Sequence, residues 1–216
     1  MLSGGMDSAV CAAIAKKKGY SIAALHLNYG QKTQSKELEC FHKLAADFSA
    51  VEKLVVDVSH LAKIGGSSLT DKNIPVERAA IVKKNEIPSS YVPFRNGNIL
   101  SIAASWAEVI NAEALVIGAM QLDYSGYPDC REEFFEAMEK AINLGTKPET
   151  KLEILTPIIN FTKADVVRTG AELGVHFEHT WSCYSDSDKA CGKCDSCVLR
   201  LKGFAEAGLQ DPIEYL

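Results

Sequence analysis

The sequence predicts an α/β protein, a doubly wound and mostly parallel sheet covered by helices on both faces, with a small zinc-binding segment at its C-terminal end. Three observations predict it. Short apolar runs alternate with stretches of helical periodicity, the pattern of a parallel sheet buried on both faces. A glycine turn, Ser3-Gly4-Gly5-Met6-Asp7-Ser8, stands where a first strand would pass into a first helix. Four of the seven cysteines crowd between Cys183 and Cys197.

The elements follow in order. Residues 8–18 read as a helix closed by Gly19, and residues 22–27 as a short buried strand. Leu38, Phe41, Ala45 and Phe48 recur at spacings of three and four, one helix face, before a second strand at residues 54–58. Residues 59–90 differ: with Gly65-Gly66, Pro75 and Pro88 they offer at most one short helix near Pro75 and are expected to form a lid or insertion. Alternation then resumes. Ile99, Ile102, Trp106 and Val109 mark a helix face, residues 114–117 a strand, Phe134, Met138 and Ala141 a further helix, and residues 152–155 a further strand. Thr162-Lys163-Ala164-Asp165 has the form of a helix-capping start, with the helix ending at Gly174. A final helix is expected over residues 195–207. The division is a nucleotide-binding domain over residues 1–174 and a zinc-binding segment over 175–216. Only Met1 and Leu2 precede the first glycine loop, so the first strand is either cut short here or continues beyond the sequence at hand.

Bulk properties narrow the function classes. At 216 residues, 47% hydrophobic and 24% charged, the chain has the composition of a globular domain. A net charge of −5 supplies no general attraction for nucleic acid. No apolar run is long enough to span a bilayer, and Met1-Leu2-Ser3 has no signal-peptide pattern, so a cytoplasmic protein without a membrane partner is expected.

The glycine turn carries the chemistry. A helix N-terminus presents unpaired N–H groups to an anion, glycines let the backbone approach a phosphate, and Ser3 and Ser8 add hydroxyl donors. A carboxylate in such a loop, Asp7, is repulsive toward phosphates unless a cation intervenes, which suggests Mg²⁺. The lysine of a Walker loop is absent, against γ-phosphate transfer. Ser-Gly-Gly-x-Asp-Ser resembles the loop of the ATP pyrophosphatases, which grips the β- and γ-phosphates and leaves the α-phosphorus open to attack.

Cys183, Cys191, Cys194 and Cys197 have the spacing C-x7-C-x2-C-x2-C, a closed four-thiolate set suited to structural Zn²⁺. An iron–sulfur cluster is the rival, but the ferredoxin run continues into a proline where Val198 follows here. A redox C-x-x-C pair, or His179 in place of one cysteine, are the other readings. Cys11 and Cys40 read as small apolar packing residues, and Cys130 has no histidine nearby in sequence to activate it.

Two more segments stand out. Residues 91–98 place Arg95 at the entrance of a helix, where a phosphate or carboxylate would sit. Residues 123–131 follow the strand at 114–117, at the carboxyl edge where ligands of open α/β sheets bind. Together with Asn28-Tyr29-Gly30-Gln31, Phe94-Arg95-Asn96, Ser125-Gly126-Tyr127-Pro128-Asp129-Cys130-Arg131, Thr156-Pro157 and Trp181-Ser182-Cys183, the sequence resembles the 7-cyano-7-deazaguanine synthase family of the queuosine and archaeosine pathways, from end to end of the chain.

The resemblance implies a fold of the adenine nucleotide alpha hydrolase type. It also implies a ligase forming carbon–nitrogen bonds, a homodimer, and conversion of 7-carboxy-7-deazaguanine, ammonia and ATP to the nitrile through an acyl adenylate and an amide. On that reading Ser3, Gly4, Gly5, Met6 and Ser8 cradle phosphates and Asp7 holds Mg²⁺. Arg95 and Lys163 neutralise charge at the α-phosphate, and Tyr127, Asp129 and Arg131 meet the deazaguanine. The product would feed nucleic-acid modification without direct contact with nucleic acid. A tRNA-modifying, thiolase-like ATP pyrophosphatase and a non-catalytic nucleotide-binding module are the competing readings.

Overall fold

A computed structural model describes residues 1–71, 73–76, 87–121 and 126–216. The helix expected near Pro75, much of the expected lid and part of the 123–131 segment lie outside the described residues.

Four short parallel strands form the centre of the molecule. β1 (Ala23–Asn28) pairs with β2 (Glu52–Asp57), with Leu25 opposite Leu54, and β3 (Ala114–Val116) pairs with β4 (Glu153–Leu155), with Leu115 opposite Ile154. The two pairs are joined by the first residues of the chain. Leu2 N donates to Leu25 O at 2.8 Å, and the Met1 amino group donates to Val116 O at 2.6 Å. Met1 and Leu2 thus occupy the central strand position, between β1 and β3, and the glycine turn leaves the sheet at the point where its winding changes direction. Ligands of open α/β folds bind at such a switch point.

The helices follow the expected order. α1 (Met6–Lys17) starts two residues earlier than periodicity suggests, because Gly5 already serves as its N-cap. α2 (Gln34–Asp47) buries Phe41, Leu44 and Ala45 as its spacing predicts. After β2 comes a helix that periodicity missed, α3 (His60–Ile64), too short to show a period. The described ends of the 59–90 stretch are packed: Ser67, Ser68 and Leu69 are buried, Ser68 N donates to Ser89 O, and Lys32 N donates to Leu69 O.

α4 (Arg95–Ile110) corrects the expected face. It buries Asn96, Gly97, Leu100, Ala103, Ala104 and Ala107, while Ile99, Ile102 and Trp106 flank the core and Val109 is 76% exposed. Small residues let this helix lie close to the sheet, so its bulkier side chains fall on the flanks. α5 (Glu132–Gly145) turns Phe135 and Ile142 inward, with Phe134 and Met138 partly buried and Ala141 outward. α6 (Lys163–Glu172) has the predicted capping box: Asp165 N donates to Thr162 Oγ1, and Thr162 N donates to Asp165 Oδ2. α7 (Asp195–Ala207) has the expected bounds.

Two apolar clusters flank the sheet. One joins α1, α2 and α6 through Val10, Phe41, Leu44 and Val166, and takes in Phe177 and Phe204 from the C-terminal segment. The other lies under α4 and α5 around Leu100, Leu115 and Phe135. None of the described helices is long and apolar enough to cross a membrane.

Candidate active site

The glycine turn is built as a cradle. Gly4 has φ +90°, a conformation glycine adopts without strain, and a Cβ there would lie 2.4 Å from Glu37 O. Ser3 N and Ser3 Oγ meet Ser8 Oγ at 3.1 and 3.0 Å, and Gly5 N donates to Ser3 Oγ at 3.2 Å. These contacts curl the loop at the N-terminus of α1, where a helix's unpaired first-turn N–H groups are suited to an anion. From behind, Gly118 presses on it: a Cβ at Gly118 would lie 3.0 Å from both Asp7 C and Ser8 N.

A cavity of about 240 Å³ opens over this loop. Ser3, Gly5, Met6, Asp7, Ser8, Arg95 and Lys163 line it, so the residues predicted from the phosphate loop and from two distant helix starts converge. Lys163 Nζ donates to both Asp7 oxygens, at 2.8 and 2.7 Å, and to Met120 Sδ at 3.3 Å. Arg95 lies over the Tyr29 ring at 5.6 Å, deep enough for burial to act on it, while Tyr29, Tyr127, Cys130 and Tyr184 around it hold its guanidinium firmly charged. A larger cavity of about 460 Å³ lies between β1 and β3, lined by apolar chains such as Leu25, Ala107 and Leu115, with none of the predicted site residues.

The predicted substrate residues sit elsewhere. Tyr127 stacks obliquely on Tyr91 at 5.5 Å and shares a hydrogen bond of 2.8 Å with Ser90 Oγ, behind Arg95. Asp129 is buried, and its Oδ2 accepts from Asn96 N at 2.9 Å at the start of α4. Burial pushes the Asp129 carboxyl above its ordinary range, and the Asn96 amide and Arg95 partly offset that. Arg131 is exposed, 4.0 Å from Glu133. None of these three lines the cavity.

Sequence reasoning missed Tyr29, Glu37, Gly118, Tyr184 and Arg200, which do. Two of them had a signal, because Tyr29 lies within the Asn28–Gln31 stretch and Glu37 follows it closely. Arg200 is fully buried and paired with Asp211 through Nε at 2.8 Å and Nη2 at 2.9 Å, which ties the C-terminal tail to the cavity wall.

The cysteines form the second centre. The sulfurs of Cys183, Cys191, Cys194 and Cys197 all lie within 4.8 Å of one another, the only such cluster among the described residues. Backbone N–H groups point at the sulfurs: Ser185 and Cys191 at Cys183, and Lys193 and Cys194 at Cys191, at 3.4–3.5 Å. Hydrogen bonds from Cys194 and Cys197 hold the Cys183 thiol far below its usual range. Thiolates ringed by N–H donors fit a tetrahedral Zn²⁺, and four sulfurs leave no open coordination position. His179 is turned away, with Nδ1 2.6 Å from Asp47 Oδ2. Cys11 and Cys40 are buried packing residues as expected, and burial pushes both thiols up. The two centres touch, because Trp181 N donates to Gly4 O at 2.8 Å.

A glycine cradle at the switch point of a parallel α/β sheet, two converging cations and a four-cysteine centre define an ATP pyrophosphatase-type, phosphate-loop protein. Comparison with known proteins gives the family. The model of queuosine biosynthesis protein QueC matches residues 1–208, and the chain belongs to that family. It is 55% identical over 215 residues to the 7-cyano-7-deazaguanine synthase of Chlorobium phaeobacteroides (strain BS1), covering 100% of this chain and 95% of that protein. It is 54% identical to that of Chlorobium luteolum, over 100% of this chain and 94% of the relative. The synthase of Sulfurovum sp. (strain NBC37-1) is also 54% identical, with 100% and 96% covered.

Proposed function

We propose that this chain makes 7-cyano-7-deazaguanine from 7-carboxy-7-deazaguanine, ammonia and ATP. The observation that carries the reading is the convergence of Lys163 and Arg95 with the phosphate loop on one cavity, in a chain of this family. The tRNA-modifying and non-catalytic readings have no comparable support.

A carboxylate is activated when its hydroxide-equivalent oxygen is turned into a good leaving group. With the β- and γ-phosphates held by Ser3, Gly4, Gly5, Met6 and Ser8, the α-phosphorus faces the cavity, and the substrate carboxylate attacks it, releasing pyrophosphate. Lys163 and Arg95 meet the charge that builds on the α-phosphate. Ammonia displaces AMP to give the amide. A second activation, on the amide oxygen, allows dehydration to the nitrile. Most of the acceleration comes from holding the reactants together.

Lys163 occupies both Asp7 oxygens. Its turn toward the α-phosphate would free that carboxylate to face the Mg²⁺ that accompanies the triphosphate. Zn²⁺ on Cys183, Cys191, Cys194 and Cys197 acts structurally, fixing residues 175–216 as the zinc-binding segment beside the 1–174 nucleotide-binding domain. Tyr127, Asp129 and Arg131 remain the candidates for deazaguanine recognition, with Tyr127 and Asp129 acting through the wall formed by Arg95 and Asn96. The active form is a cytoplasmic homodimer that contacts neither membrane nor nucleic acid.

Mass spectrometry of the product from 7-carboxy-7-deazaguanine, ATP, Mg²⁺ and ammonium tests the reading. The expected product is the nitrile with AMP and pyrophosphate, and ADP as the nucleotide product would overturn it.

A further inference from the structure

We propose that Glu37 is the residue that receives ammonium and takes its proton in the amination step. The proposal rests on the function proposed above. Apart from Asp7, whose oxygens face Lys163, Glu37 is the one carboxylate among the described residues lining the cavity over the phosphate loop. It is delivered there by a close approach, since its own backbone carbonyl packs against Gly4.

Its orientation is fixed from both sides. Thr33 Oγ1 donates to Glu37 Oε1 at 2.7 Å, and Gln31 Nε2 donates to Glu37 Oε2 at 3.1 Å. Gln31 is itself held by Tyr29 N, which donates to Gln31 Oε1 at 2.9 Å. Gln31 and Thr33 are both buried, so this is a built support. Each carboxylate oxygen keeps acceptor capacity for a further N–H donor.

The surroundings suit a base. Burial raises the carboxyl above its ordinary range, while the Thr33 and Gln31 hydrogen bonds and the Arg95 charge partly offset that. Tyr29, just after β1, and Arg95 from α4 face it, and Asp7, Lys163, Tyr184 and Arg200 line the same cavity. In a cavity whose cations serve the phosphates, a second carboxylate attracts the only cationic reactant.

The step balances. Ammonium gives one proton to a Glu37 oxygen, and the nitrogen lone pair forms the C–N bond to the acyl carbon. The C–O bond to AMP breaks, its electron pair leaving on the phosphate oxygen, and the surplus N–H proton passes to water.

The test exploits the two halves of the reaction, since conversion of the amide to the nitrile consumes no ammonia. Glu37→Gln is assayed beside the wild type with each substrate. From the acid, the variant should form amide about a hundredfold more slowly, with a raised KM for total ammonium. The loss should shrink as pH rises and free ammonia replaces ammonium. From the amide, it should form nitrile within a few-fold of the wild-type rate, which also shows that it folds. Equal losses on acid and amide, or an unchanged KM for ammonium, overturn the role of Glu37. A wild type that makes neither product overturns the proposed function and this inference with it.

Discussion

Lys163 Nζ holds both carboxylate oxygens of Asp7, at 2.8 and 2.7 Å, although 156 residues separate the two in sequence. The pair joins the first turn of α6 to the first turn of α1 and closes the floor of the cavity. It is partly exposed, so its net contribution to stability is small. Under the proposed function its worth would lie in placing an ammonium group where α-phosphate charge develops. Lys163→Met should therefore lower kcat about 10²- to 10³-fold, with a Tm within a few degrees of the wild type. Pyrophosphate release and a thermal melt on the same preparation check this. A large fall in Tm with undiminished turnover would assign the pair to structure.

Gly118 makes a sharper steric prediction. A methyl group there meets Asp7 C, Ser8 N and Asp7 O at 3.0–3.1 Å, all backbone atoms that cannot rotate away. Gly118→Ala should push the phosphate loop outward and weaken ATP by about tenfold or more. Calorimetry with a nonhydrolysable ATP analogue reads the loss, and unchanged affinity would mean that the loop adapts.

The four-cysteine centre should bind one Zn²⁺ per chain, measured by metal analysis of protein purified without chelator. Cys194→Ala removes one thiolate and with it most of the affinity. The metal contributes on the order of 10 kcal/mol to small sites of this kind, so residues 181–197 should lose protection from hydrogen exchange. Because Trp181 N is bonded to Gly4 O, protection should also fall at the phosphate loop. A brown protein containing iron would refute the zinc assignment.

The order of the longer elements was legible because each carries a local signal, which the five-residue α3 is too short to show. The capping box at Thr162 and Asp165, the glycine turn, and the bounds of α7 all appear as read. The cysteine centre was legible for the same reason, since its spacing is itself the geometry. The cavity walls were harder. Gly118 and Tyr184 reach the site through packing between elements distant in sequence, which no periodicity encodes. The helix face of α4 was misread at Val109 because close packing favours alanine and glycine over large side chains. Asp129 shows the same limit, since a turn-like Tyr-Pro-Asp stretch gives no hint that its carboxylate accepts from Asn96 N at the start of α4.

The pH dependence of stability should bear the mark of His26. This residue of β1 is 1% exposed, with its ring 5.1 Å from Phe41 and its two nitrogens facing Leu2 O at 3.3 Å and Asn28 Oδ1 at 3.1 Å. It ties β1 to Leu2, and so to the residues that lead into the phosphate loop. Burial lowers its pKa from 6.5, and the Leu2 and Asn28 contacts only partly oppose that. The unfolded chain therefore takes up the proton first as pH falls. The His26 contribution should be at its full value above about 6.5 and decline as pH drops through that value toward the lower folded pKa, on top of an earlier loss from the buried Met1 amino group, which burial lowers from 8.0 to about 6. His176, exposed and raised by Glu178, works weakly in the opposite direction. Thermal melts of the wild type between pH 8 and 5.5 should show the decline, and His26→Gln should flatten it. A variant profile as steep as the wild type would place the titration on another group.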